Sequence, residues 1–490
     1  MKRHGLKVYL REPSSYTPLK KEFQRKAGGS GPTSLTLGGN AEENRRQIAR
    51  FSEKDATAYE EYENELGKFV DVIDPLLDHA PADLAKFSQD LLPMKLANYH
   101  RISPVVKAAQ AALKSNPSGL YELLTAPTTK ILDKWFESEP LKATLATDSC
   151  IGAMISPDSP GSGYVLLHHV MGELEGIRGA WGYPQGGMGA VSAAIARSAA
   201  EAGAEIVTDA PVKEILVDHD KAKGVVLADS GDMVEGEIIM SNATAKVTFL
   251  DLIPESKVEE KFRSSIQRID YTSPVTKINV AVNRLPNFLA DPNPGPNEAL
   301  PHHQCTIHMN CEDSALLHDA YKDAEVKGTY SKKPMIEMTI PSVLDDSLAP
   351  PGHHVCLFFT QYTPYNLPNG QAWDAKMREE YAGVIFDTVE EYAPGFKDSI
   401  VGKEVLTPPD LEAAFGITGG NIFHGSMSLD QLYLTRPVSS SKSLSPECPI
   451  KNLLMCGSAA HPGGGVMGAP GRNAARTALE TLGGTRWNFK

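Results

Sequence analysis

The chain has 490 residues and a mass of 53.0 kDa, material for about three average domains. With 41% apolar and 22% charged residues and a mean hydropathy of -0.26 it reads as globular, which excludes a wholly disordered or fibrous protein. Its 48 basic against 61 acidic side chains, a net charge of -13, form no basic stripe and argue against nucleic acid as a partner.

No run of about 18 apolar residues is present to cross a bilayer as a helix, so membrane contact is expected to be peripheral. His4 to Arg11 alternates like a strand, with Leu6, Val8 and Leu10 on one face. Residues 1–26 hold eight Lys or Arg against Glu12 and Glu22, a balance that suits a mitochondrial presequence, but a strand so close to the start favours ordinary structure. Residues 41–150 read as helices. Ser52 and Asp55 resemble a capping box, Phe51 and Ala56 a hydrophobic staple, and Tyr59, Tyr62, Leu66, Phe69, Val70 and Ile73 recur at helical spacing. That pattern describes packing rather than chemistry.

From residue 186 the pattern becomes richer. GGMGAVSAAIARSAAEAG predicts a helix with Met188, Val191, Ile195, Ala199 and Ala202 on one face and Gly203 as its C-cap. The segments EIVT, VKEILV, GVVLA and EIIMSN follow as short strands separated by turns. Residues 274–283, 334–340 and 354–360 alternate or are apolar on both faces, and predict a second, antiparallel sheet covered by helices. Cysteines 150, 305, 311, 356, 448 and 456 form no CxxC, which argues against structural zinc, a disulfide framework and a thioredoxin-type centre. The pairs His168-His169 and His302-His303 make no natural chelate and read as scattered surface histidines. No metal site is expected.

The strongest chemical signal is residues 452–482. The apolar strand Leu453 to Met455 runs into a loop with Gly457, Gly463, Gly464, Gly465, Gly468 and Gly471, then into a helix with Ala474, Ala475, Ala478 and Leu479. Glycines let a backbone approach a flat ligand, and a helix N-terminus offers unpaired N–H groups and about half a positive charge, which suits an anion.

CGSAAHPGGGVMGAPGRNAA at 456–475, WGYPQGGMGAVSAAIA at 181–196, the meander to IIMSNA, and PPDLEAAFGITGGNIFHGSMSLDQL at 408–432 resemble the phytoene desaturase and carotenoid isomerase-like flavoproteins over essentially the whole chain. The resemblance implies an α/β fold: an FAD-binding Rossmann-like domain from residues 1–40, 180–250 and 420–490, with an interleaved α+β substrate domain from 41–179 and 251–419. It places Gly457 and Ser458 at the FAD pyrophosphate and ribityl chain, and Gly465, Val466, Met467 and Gly468 under the flavin at the helix start. It also places Val212 at the adenine, and Gly186 and Gly187 near the flavin face. His424 and His461 lie in segments of this kind, where each would move a proton or, more simply, orient a loop. No catalytic residue is assigned.

The family's opening strand, GxGxxG and helix, which hold the ADP half of FAD, have no counterpart here. GGSG at 28–31 follows no apolar strand, and the G-x-G at 187–189 sits at a helix start with no strand before it. The expectation is therefore an N-terminal βαβ unit of roughly 30 residues or more that this sequence lacks. The function implied is hydride transfer from a small apolar, polyene- or lipid-like substrate to FAD, with oxygen or a quinone as acceptor, in the mitochondrion. The alternative is a non-catalytic binding or scaffold protein that does not hold FAD.

Overall fold

In the computed structural model, residues 1–26, 29–82, 99–438 and 445–483 are described. The tail of the expected segment 420–490 and part of its loop, residues 484–490 and 439–444, lie outside them, as does Gly28 of the 28–31 glycine run. The chain forms two compact units: Met1–Glu65 with Tyr121–Ile206 and Ser273–Asp410, and Leu66–Leu120 with Val207–Thr272 and Leu411–Lys490.

The first unit is built on a seven-stranded mixed sheet in the order Ile400–Leu406, Thr276–Val282, His354–Gln361, Met335–Thr339, Thr306–Met309, Ser15–Pro18, Ser34–Leu37. Only the Ser15–Pro18 and Thr306–Met309 pair is parallel. The alternation read from the sequence sets its two faces. Ile278, Val280, Val282, Ile307, Met309, Ile336, Met338, Cys356 and Phe358 all turn into one core, with the helix Ala375–Tyr392 contributing Tyr381, Ile385 and Val389. Each such side chain is worth about 1.5–3 kcal/mol in removal from water. Asp374 caps that helix by accepting the Met377 N–H at 2.8 Å.

Two expectations change here. Residues 1–40 were assigned to the nucleotide-binding half, yet the Ser15–Pro18 and Ser34–Leu37 strands complete this larger sheet. Tyr16 explains the pairing: its ring stacks on His302 at 4.6 Å, meets Phe288 edge-on at 5.8 Å, and its hydroxyl donates to Asp291 at 2.8 Å. His302 and His303 are accordingly core rather than surface residues. Burial pushes the His302 imidazole down to about 3, and His303 accepts the Leu300 N–H on Nδ1 at 2.9 Å and donates from Nε2 to the Pro286 carbonyl at 3.1 Å.

At the helix Glu53–Leu77, the Ser52 hydroxyl accepts the Asp55 N–H at 3.2 Å. The reciprocal half of the expected box is absent, because the Asp55 carboxylate instead accepts the N–H groups of Glu137 and Ser138, both at 2.9 Å. The helix Gly189–Glu201 ends before Gly203, whose φ of +92° suits a terminating glycine. The apolar face read from its sequence is open, with Met188 and Ile195 more than half exposed and only Ala194 of the helix buried.

In the second unit the meander Val212–Asp218, Lys221–Leu227, Met233–Glu235 is antiparallel, and Ile239–Ser241 pairs in parallel with Leu453–Met455. Ile215, Val217, Phe249, Leu453, Met455 and Ala459 share its core. The strand expected at EIVT is not formed; residues 205–208 are exposed and pair with no strand among the described residues, so their β propensity has no ladder to join.

Candidate cofactor-binding loop

Leu453, Leu454 and Met455 are buried, and the parallel register sets Ser241 opposite Met455. Both chains leave the sheet together. At the next step Gly457 approaches Asn242 so closely that a β-carbon would meet its Oδ1 at 2.1 Å and its carbonyl oxygen at 2.6 Å. Only glycine allows this approach.

The loop is then wound around one buried cation. Arg436, 1% exposed, donates through Nε to the Ser458 carbonyl at 3.0 Å. Its terminal nitrogens donate to the carbonyls of Phe423, Gly425 and Ser426, the last two at 3.3 and 3.2 Å. Gly463, at φ +104°, leaves room for the guanidinium, since a β-carbon there would lie 3.2 Å from its Nε. A buried guanidinium satisfied by carbonyls makes a rigid loop, and no local sequence pattern around LTRP announces it.

His461 adds a second tie. Its Nε2–H donates to the Leu76 carbonyl at 2.8 Å and its backbone N–H to Ser445 Oγ at 2.9 Å. Burial pushes the imidazole down to about 4, so it is neutral near pH 7 and orients the loop. His424, also lowered by burial with help from Arg436, occupies the left-handed region at φ +58°.

Beyond Gly463 the backbone opens outward. Gly465, Val466 and Gly468 have φ of +140°, +55° and +68°, and the Val466 side chain is 80% exposed. Gly468 is the N-cap of the helix Ala469–Thr481, which has no side-chain cap, and a β-carbon on Gly468 would meet nothing within 4 Å. Among the described residues no hydrogen bond engages the N–H of Val466, Met467 or Gly468. Three open donors at the positive end of a 13-residue helix form a cradle for negative charge beside an unobstructed surface. The donor set therefore fits the pyrimidine edge of a flavin.

Val212 opens the first meander strand in the same unit and is 37% exposed. Gly186 and Gly187 belong to the other unit, in a turn with φ of +77° and +82°. Their N–H groups are already used: Gly186 donates to Asp345 Oδ2 at 2.7 Å and Gly187 to the Pro184 carbonyl at 3.0 Å. The structure thus joins Gly457, Ser458, Gly465, Val466, Met467 and Gly468 in one continuous loop, and sets the 186–187 pair in a turn of its own.

No family model matches the chain. Among solved structures, an oxidoreductase from Methanosarcina mazei superposes over 98% of this chain and 83% of its own with a TM-score of 0.52 at 12% identity, a likeness of fold. The phytoene desaturase (lycopene-forming) of Pseudescherichia vulneris is 26% identical over 71% of this chain and 64% of its own. The pyridine nucleotide-disulfide oxidoreductase domain-containing protein 2 of Rattus norvegicus is 52% identical over 483 residues, 98% of this chain and 82% of the relative. Identity of that extent places the chain in the family of pyridine nucleotide-disulfide oxidoreductase domain-containing protein 2, and the likeness to the Methanosarcina mazei structure is one of mixed α/β fold.

Proposed function

We propose that the protein is an FAD-dependent oxidoreductase acting on an apolar, polyene- or lipid-like substrate. The observation that carries this reading is the trio of unengaged N–H groups at Val466, Met467 and Gly468, preorganised at a helix N-terminus in a chain of this family. A bound flavin would supply the hydride acceptor. The protein's part would be to hold negative charge on the ring: the three N–H groups would donate to it and the helix dipole would favour it. Arg436 and His461 keep the loop from relaxing away, and Gly457 lets the loop leave the sheet where it does.

Dithiol chemistry is not part of this reading, despite the family name. All six cysteines are free, and burial raises every one of their thiols, those of Cys150, Cys305, Cys356 and Cys448 to about 12, so none is a ready thiolate. A mitochondrial location, which rests on resemblance, and peripheral membrane contact belong to the same proposal; a tagged full-length protein found only in the cytosol would refute the location. The activity is tested by purifying the full-length protein and following bleaching of flavin absorbance with candidate polyenes and lipids under anaerobic conditions. A folded, colourless protein would favour the non-catalytic binding reading instead.

A further inference from the structure

The face of the seven-stranded sheet turned away from the apolar core has a different chemistry. Strand register places Lys277, Phe359, Glu337 and His308 in one lateral row, and Asn279, Leu357, Thr339 and Thr306 in the next. Most of these residues are half-buried, and Glu337 and His308 are buried. Over the second row lies Arg11, just beyond the Val8–Leu10 strand and only 5% exposed. Its backbone N–H donates to the Trp181 carbonyl at 3.0 Å, and its guanidinium lies over the rings of Tyr183 and Trp181, 4.9 and 5.5 Å from their centroids. One terminal nitrogen donates to Thr306 Oγ1 at 2.7 Å.

What Arg11 lacks is an acid. Among the described residues it makes no ion pair, and its Nε has no hydrogen-bond partner. A buried cation without a counter-charge is costly, and a folded protein keeps one where a ligand completes it. The neighbouring groups do not cancel it. Burial, helped by Asp148, pushes the Glu337 carboxyl up to about 8 against Arg11 and Lys277, while burial lowers Lys277 to about 8. His308, lowered to about 3 by burial and then Arg11, is neutral, and its Nδ1 stands 3.7 Å from Glu337 with no hydrogen bond. Near neutral pH the face is a positive spot beside the apolar side chains of Leu357 and Phe359.

We propose that this face binds an amphipathic acid, with Arg11, held by Thr306, Tyr183 and Trp181, receiving the carboxylate while the hydrocarbon part lies across Leu357 and Phe359. A guanidinium held over two rings and anchored at one end presents its remaining N–H edge in the planar geometry that suits a carboxylate. Naming this acid as the substrate rests on the oxidoreductase reading; the anion site itself does not.

The test uses the full-length protein and three probes of equal chain length below their micellar concentrations: decanoate, decanol and decylammonium. Tryptophan fluorescence, with Trp181→Phe identifying the reporting ring, and thermal shift give the affinities. Decanoate should bind about tenfold or more tighter than decanol, as one charge-assisted pair predicts, and decylammonium weakest. Arg11→Gln should erase the preference for decanoate and leave decanol binding unchanged. Equal binding of decanoate and decanol by the wild type, or a preference that survives in Arg11→Gln, overturns the proposal. If Arg11→Gln does not fold, Thr306→Val decides: a severalfold loss for decanoate alone supports the site, and an unchanged preference overturns it. Flavin content measured on the same samples separates the two claims, since a flavin-free chain that prefers decanoate sinks only the oxidoreductase reading.

Discussion

Replacing Gly468 by valine separates a ligand cradle from a mere turn. The residue sits at φ +68°, where an L side chain costs about 1–2 kcal/mol, but a β-carbon there meets nothing within 4 Å. The loss of fold stability is therefore bounded by backbone strain alone. Flavin binding should suffer more, because the open space is where the ring would approach the N–H groups of Val466, Met467 and Gly468. Losing two such hydrogen bonds at about 1–1.5 kcal/mol each weakens binding by roughly 30- to 150-fold. Gly468→Asn sharpens the comparison: asparagine tolerates the left-handed region, so it restores stability while still filling the space. The assay is flavin per folded chain from the visible spectrum, alongside urea unfolding. Unchanged flavin content in both variants would refute the placement of the ring at this helix start, whatever happened to stability.

Three further outcomes follow from the same loop. Gly457→Ala forces a β-carbon against the Asn242 backbone and should cost about 1–3 kcal/mol in urea unfolding; a change within about 0.5 kcal/mol would mean the close approach is absent. Arg436→Met leaves the carbonyls of Phe423, Gly425, Ser426 and Ser458 without their donor, and should lower unfolding stability by about 3 kcal/mol or more, far beyond a surface substitution. His461 is held neutral in the fold down to about pH 4, while the unfolded chain protonates it from the ordinary 6.5. Its folded value is depressed, so the unfolded state binds more protons in that window, and stability falls as pH drops from 6.5 toward 4. His461→Gln should flatten this part of the stability–pH curve, and an identical slope in both proteins would refute the burial argument.

The C-terminal strand, glycine loop and helix were legible because each uses a local code: an apolar run, glycines, then small residues at helical spacing. The alternation in 274–283 and 334–340 likewise revealed two strands of the large sheet, since a face buried against helices imposes period two. What failed to show depends on partners distant in sequence. Ile206 and Val207 look like strand residues, but propensity alone forms no ladder. His302 and His303 resemble any surface pair until Tyr16, nearly three hundred residues earlier, stacks on one of them. Arg436 and Arg11 each read as an ordinary basic residue, and only the fold shows the first wrapped by carbonyls and the second buried with no acid paired to it among the described residues. Among the expected site residues, Gly186 and Gly187 were placed by resemblance alone, and in the fold the Gly186 N–H goes to Asp345 and the Gly187 N–H to the Pro184 carbonyl.

The most direct measurement is the identity and amount of cofactor released from the full-length protein purified from the organism that makes it. Denaturing the folded protein and analysing the supernatant by chromatography and mass spectrometry should yield FAD in near-equal amount to protein chains, with the visible flavin bands lost from the protein fraction. A folded protein that releases no flavin would contradict the account.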